Sequence, residues 1–260
     1  MTNPAIEAEA SQTFAPTFEY SPQVEITHYQ TYPSELIIPR SRLRRFEDVS
    51  ADTPVPLEHA FHLLGDLAGK TVVHLGRNGG INTVILASLG AKVIALEDSE
   101  TALARTAVHA QANGLESDVM FVLATGSQLP VDDGRVDRVL CVGGLSSFDF
   151  LTTARQIRRI LKPGGAAVFL QSVSGGNWFS KFKNSSSERV RKDRKLTRED
   201  VDRISRAVGR PGRSREFTFT TRVLSRWNMR TKGAVKAQIE LEAFGRGFKS
   251  FITWEARKEC

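Results

Sequence analysis

Short apolar runs alternate with amphipathic stretches through the middle of the chain. Residues 71–75 are apolar and β-branched and stop at Gly76, which predicts a strand. Residues 81–89 carry apolar positions at helical spacing and close on Gly90, and residues 92–96 predict a second strand. Residues 99–112, rich in Ala and Leu, end at Asn113–Gly114, a helix with a left-handed stop. Residues 119–123 and 136–142 predict strands three and four. A helix over 150–161 is closed by Lys162–Pro163–Gly164–Gly165, and residues 166–170 predict strand five. Short buried strands separated by helices predict an α/β domain with a mostly parallel sheet and helices on both faces.

The flanks read differently. Residues 1–17 are rich in Ala, Thr, Glu, Ser and Pro with little to bury, a mobile tail. Residues 18–56 hold Phe18, Tyr20, Tyr29, Tyr32, Phe46 and several prolines, which predicts an ordered arm or lid. The main domain is expected over 57–260. It opens with a helix on which Leu57, Phe61, Leu64 and Ala68 share a face, ending near Gly69. Toward the other end, Thr197–Asp200 resembles a capping box, with Val201, Ile204 and Val208 on one helical face and Gly209 behind. Phe217 and Phe219 alternate with threonines in a predicted strand, and residues 251–257 predict the last one.

Composition narrows the class. The chain has 260 residues, 40% hydrophobic and 25% charged, an ordinary globular balance. No apolar run approaches the roughly 18 residues of a membrane span. No basic residue precedes Arg40 and no apolar leader segment is visible, so a secretory signal is not expected. Two cysteines, Cys141 and Cys260, cannot build a disulfide framework or a zinc cluster, and no metal site is expected. The expected setting is cytoplasmic.

Charge is unevenly placed. Residues 1–170 carry 14 Lys/Arg against 19 Asp/Glu, whereas residues 171–260 carry 22 against 10. Much of the excess lies in KFKNSSSERVRKDRK, residues 181–195, within a basic insertion over 172–196. Such a segment either captures an anionic ligand or is a solvated loop.

Candidate chemistry begins where the first strand runs into Gly76–Arg77–Asn78–Gly79–Gly80 and then a helix. A glycine turn at that place lets the backbone approach a ligand while helix N–H groups face it. Glu97 ends the second strand 21 positions after Gly76, where a carboxylate can accept both hydroxyls of a ribose; the alternative is a helix-capping role. Asp98 beside it is the expected cap of the next helix. The pattern points to an adenosine-containing ligand at the carboxyl end of a parallel sheet. The nicotinamide fingerprint G-x-G-x-x-G does not fit, because Asn78 and Ile81 occupy its second and third glycine positions.

The stretches VVHLGRNGGINTVILASLGAKVIALEDS, LPVDDGRVDRVL, RRILKPGGAAVFL, LTREDVDRISRAVG and FITWEARK together resemble the class I S-adenosylmethionine-dependent methyltransferase family over roughly residues 57–257. The resemblance implies a seven-stranded, mostly parallel Rossmann-like sheet in the order 3-2-1-4-5-7-6, with strand seven antiparallel. It implies S-adenosylmethionine as cofactor, its methionine over Gly76–Gly80 and its ribose on Glu97. The adenine would lie between Thr125 and Gly126 on one side and Val142 on the other. Three positions depart from the family pattern. His74 stands where an acid is usual, Asn78 where a second glycine is usual, and Thr125 where an aspartate usually meets the adenine amine.

The candidate site therefore comprises His74, Gly76, Arg77, Asn78, Gly79, Gly80, Glu97, Asp98, Thr125, Gly126 and Val142 for the cofactor. His28 is the candidate base, and Tyr20, Tyr29 and Tyr32 of the arm are candidate substrate contacts. His59, His62 and His109 read as structural or solvated, and Cys141 as a small buried hydrophobe. The exit of strand four lacks the Asn/Asp-Pro-Pro-aromatic turn of amino-methylating nucleic-acid enzymes. The expected function is methyl transfer to a small, possibly anionic molecule. A non-catalytic binding or assembly role on the same fold, and a nucleic-acid methyltransferase using the basic last third, are the alternatives.

Overall fold

A computed structural model of the chain describes residues 36–76, 80–143, 145, 149–173, 196–218 and 249–260. Among these, seven strands form one sheet, flanked by six α-helices. The elements in chain order are α1 (Arg40–Glu47), α2 (Pro56–Leu64), β1 (Thr71–Gly76), α3 (Ile81–Ser88), β2 (Lys92–Glu97), α4 (Glu100–Ala112), β3 (Val119–Leu123), β4 (Val136–Val142), α5 (Phe150–Ile160), β5 (Leu161–Ser172), α6 (Arg198–Val208), β6 (Arg210–Thr218) and β7 (Lys249–Arg257). The order across the sheet is β3-β2-β1-β4-β5-β7-β6, as the family resemblance implies. Strands β1 to β5 pair in parallel, and β7 runs antiparallel to both β5 and β6.

The strands read as continuous apolar runs because both faces of the sheet are covered. Alternate residues serve opposite layers. Val73 and Leu75 of β1, with Ala167 and Phe169 of β5, pack with Ile157 and Ile160 of α5 and Val201, Ile204 and Val208 of α6. Val72, Val168 and Leu170 face the other way, with Phe61 and Leu64 of α2 and Val84, Ile85 and Leu86 of α3. Trp254 of β7 stacks on Phe169 with ring centroids 4.7 Å apart. The capping box at Thr197 and Asp200 is formed in full, which fixes the start of α6 beneath this layer.

Several boundaries differ from the sequence reading. Helix α2 stops at Leu64, not near Gly69, because Gly65 adopts a positive φ and the Asp66 carboxylate then accepts the Ala68 N–H to form a turn. Strand β5 starts at Leu161, before the Lys-Pro-Gly-Gly segment, since Leu161 pairs with Val136. Strand β6 begins at Arg210, and β7 gains two residues at its start. Pro211 is tolerated because β6 is an edge strand with an irregular register there. Ser99, not Asp98, caps α4, its hydroxyl accepting the Ala102 N–H at 3.1 Å. Helix α1, within the arm, has no counterpart in the sequence reading. Phe46 of α1 packs on Phe61 of α2 at 4.7 Å between ring centroids, and Arg45 pairs with Glu58. His59 is structural: it is buried, with Nδ1 2.6 Å from the Thr253 hydroxyl of β7.

Ile204 lies fully buried between α6 and the sheet. Ile204→Ala is expected to lower unfolding stability by about 2–4 kcal/mol through lost burial and the cavity left behind. Urea unfolding followed by circular dichroism reads this as an earlier midpoint with an unchanged native spectrum.

Candidate active site

In an open parallel sheet, ligands bind outside the carboxyl ends of the strands where the strand order reverses. Here the reversal falls between β1 and β4, the neighbours from which the connections run in opposite directions. A narrow cleft sits at that edge. Its walls include Gly76 at the end of β1, Glu97 and Asp98 at the end of β2, Gly126 after β3, and Gly143 and Leu145 after β4, with Thr153 of α5 below. The lining is mostly apolar, and the titratable groups among these described walls are Glu97, Asp98 and Cys141. Burial pushes the Cys141 thiol up, so it acts as an inert hydrophobe.

Two glycines are required by close approach. A Cβ at Gly76 would lie 2.9 Å from His74 Nε2 and 3.1 Å from the Val142 carbonyl oxygen. Gly80 has φ +89, and a Cβ there would lie 2.7 Å from the Cα of Thr106 in α4. Gly76 is thereby held close against β4, and Gly80 against α4.

Glu97 is buried, only 2% exposed, and forms part of the cleft wall. The Thr106 hydroxyl donates toward its Oε1 at 3.2 Å. Gly126 lines the cleft, whereas Thr125 is exposed, its hydroxyl 2.9 Å from that of Ser127. Val142 is half-buried, and it meets the site through its backbone beside Gly76. Asp98 is exposed at the cleft rim. Arg77, Asn78 and Gly79, together with His28, Tyr20, Tyr29 and Tyr32, lie outside the described residues.

His74 is 1% exposed and its Nδ1 shares a hydrogen bond with Thr83 of α3 at 2.9 Å. Among the described residues Nε2 has no partner, and it is aimed at the underside of Gly76. Burial pushes its pKa down to about 4, so the imidazole is neutral near neutral pH. Asn82, in the first turn of α3, is fully buried, with both amide atoms unpaired among the described residues. Unpaired buried polar atoms at the start of α3 and beside Gly76 are what a polar ligand group there would answer. The glycine cradle, the wall carboxylate and these groups fit an adenosine-bearing cofactor.

Sequence reasoning did not single out Asn82, Thr106 or Gln171. Gln171, at the end of β5, donates from Nε2 to the Gly143 carbonyl at 3.1 Å and so braces the turn after β4. The available signals were weak: an asparagine at the start of the helical run INTVILAS, a threonine on an Ala-rich helix, and a glutamine near the end of an apolar strand.

Comparison with known proteins bears on the family and the fold. Residues 73–169 match the family model described as a methyltransferase domain. A ubiquinone biosynthesis O-methyltransferase of Alkalilimnicola ehrlichii is 26% identical over 147 residues, 56% of this chain and 58% of that protein. The chain spans about half the length of the curated relatives it matches. Geranyl diphosphate C-methyltransferase from Streptomyces coelicolor, solved with S-adenosyl-L-homocysteine, superposes with TM-score 0.61 at 18% identity, covering 77% of each chain. The cyclase SpnF superposes with TM-score 0.55 at 18% identity, over 74% of this chain and 76% of its own. The family model and the shared architecture bear out the resemblance to the class I methyltransferases. Among the described residues no helix is long and apolar enough to cross a membrane.

The buried neutral His74 makes stability depend on acid. The unfolded chain takes up a proton on this histidine below about pH 6.5, while the folded one resists until about pH 4. Stability is therefore full above pH 6.5 and falls as pH drops through that window, by up to about 3 kcal/mol from this group. Urea unfolding at pH 7, 5.5 and 4.5 is expected to show a shallower decline for His74→Gln than for the parent chain.

Proposed function

We propose that the chain transfers a methyl group from S-adenosylmethionine to a small, anionic organic acceptor. The observation that carries the reading is the cleft at the β1/β4 reversal, where a glycine turn and a buried carboxylate 21 residues later share one wall. Gly76–Gly80 would hold the cofactor's methionine, Glu97 its ribose, and Gly126 with Leu145 its adenine. His74 Nε2 and Asn82 would satisfy polar groups beneath the turn. When bound, the cofactor supplies an electrophilic methyl on a sulfonium. The chain's contribution is to orient that group against the acceptor and exclude water, which supplies much of the acceleration in an in-line displacement.

The anionic acceptor is supported by the basic insertion. Val173 and Leu196, the described residues that flank this segment, form a parallel bridge just past the carboxyl end of β5. Seven Lys/Arg and two acids lie within residues 181–195. The S. coelicolor neighbour was solved with geranyl diphosphate, a small anion, and the curated relatives are O-methyltransferases. An oxygen acceptor loses a proton, and His28 of the arm is the proposed base, with Tyr20, Tyr29 and Tyr32 lining the acceptor.

One observation favours a second reading, a fold kept for binding without methyl transfer: His74 and Thr125 present neutral groups where the family usually offers acids. A fold of this kind hosts more than one chemistry, as the cyclase neighbour illustrates.

Isothermal titration of the purified chain with S-adenosylhomocysteine separates the two. The proposal expects saturable binding that weakens at least tenfold in Glu97→Ala, since hydrogen bonds to a charged group contribute about 1.5–3 kcal/mol each. Absence of heat and of a thermal shift at millimolar ligand sinks it. With methyl-labelled cofactor, label is expected in small phenolic, carboxylic or diphosphate acceptors and not in RNA. KM for an anionic acceptor is expected to rise several-fold between low and physiological salt, while KM for a neutral acceptor stays flat. Label in RNA, with a steep salt dependence of RNA binding, would favour the nucleic-acid alternative instead.

A further inference from the structure

Thr106 touches both halves of the site from a helix that supplies none of the described cleft wall. Its Cα is the atom that excludes a Cβ from Gly80, at 2.7 Å, so the backbone of α4 rests directly against the glycine turn. Its hydroxyl lies 3.0 Å from the Ala102 carbonyl and 3.2 Å from Glu97 Oε1. A threonine inside a helix ordinarily turns its proton back to the carbonyl four residues earlier. Here the same proton also faces a buried carboxylate, which is the stronger acceptor. Thr106 is fully buried, and water does not compete for that contact.

We infer that Thr106 is a positioning residue for the cofactor sugar: it fixes the rotamer of Glu97 and the spacing between that carboxylate and the glycine turn. The inference rests on the reading of Glu97 as the ribose ligand. A glutamate side chain has several rotatable bonds, and its orientation must be set before it can meet two adjacent hydroxyls at once. Thr106 sets it from a backbone already immobilised by contact with Gly80. Thr106, 26 positions after Gly80 and nine after Glu97, thus ties the described end of the turn and the carboxylate into one frame.

The test is a double-mutant cycle on the full chain, read by titration with S-adenosylhomocysteine. Thr106→Val keeps the branched shape and removes the hydroxyl, and Thr106→Ser keeps the hydroxyl. Thr106→Val is expected to weaken binding about five- to tenfold, and Thr106→Ser by less than twofold. In a Glu97→Ala background the same Thr106→Val change is expected to alter binding by less than twofold, because the carboxylate it orients is gone. A purely structural role would give the same loss in both backgrounds and overturns the inference, as does an unchanged affinity in Thr106→Val. Should Thr106→Val fail to fold, Thr106→Ala takes its place in the cycle. A parent chain that binds no S-adenosylhomocysteine removes the underlying reading and this inference with it. A parent that binds while the cycle is additive removes this inference alone.

Discussion

The site depends on a contact that only glycine permits. Gly80, with its positive φ, lies against the backbone of α4, and any side chain there would drive the turn and the helix apart. Because that contact is tight, the start of α3 and the middle of α4 are locked together, and the ends of β1 and β2 are carried with them. The glycine turn and Glu97 come from different βα units, yet both open on one cleft. Parallel pairing of β1 with β2, in register from Thr71–Lys92 to Leu75–Leu96, sets the height at which they meet.

The remaining walls follow from the same economy of space. Gly76 passes between His74 and β4 with no room for a methyl group. Gln171 holds the turn after β4 from the adjacent strand, and Gly143 adopts a positive φ to make it. The resulting cleft is mostly apolar, with the buried Glu97 and Thr153 in its wall and the exposed Asp98 at its rim. A flat, neutral ring system with one hydroxylated sugar suits such a lining: the carboxylate meets hydroxyls, and the apolar walls meet the ring. The cost is carried by His74 Nε2 and the Asn82 amide, which are buried without partners among the described residues.

The sheet was legible in the chain because β1 to β5 are short apolar runs bounded by glycine or helix caps, and those signals are local. Glu97 and the glycine turn were legible for the same reason: one ends a strand and the other begins a helix. What escaped was fixed by distant partners. Helix α1 is rich in arginine and is held by Phe46 against Phe61 of α2 and Arg45 against Glu58, none of which its own periodicity reveals. Thr106 and Gln171 owe their roles to what stands opposite them across the fold. The start of β5 ran through a Lys-Pro-Gly-Gly segment that local rules assign to a loop, because pairing of Leu161 with Val136 overrides them. Asp98 was displaced as cap by Ser99, one residue closer to the helix.

The claim beneath this account is that Glu97 and the glycine turn jointly cradle an adenosine sugar. A crystal structure of the full chain grown with S-adenosylhomocysteine tests it most directly. The account predicts both ribose hydroxyls within about 3 Å of the Glu97 carboxylate, hydrogen-bond range, with the ligand's amino acid end over Gly76–Gly80. Ligand bound elsewhere on the molecule, or a ribose turned away from Glu97, contradicts it.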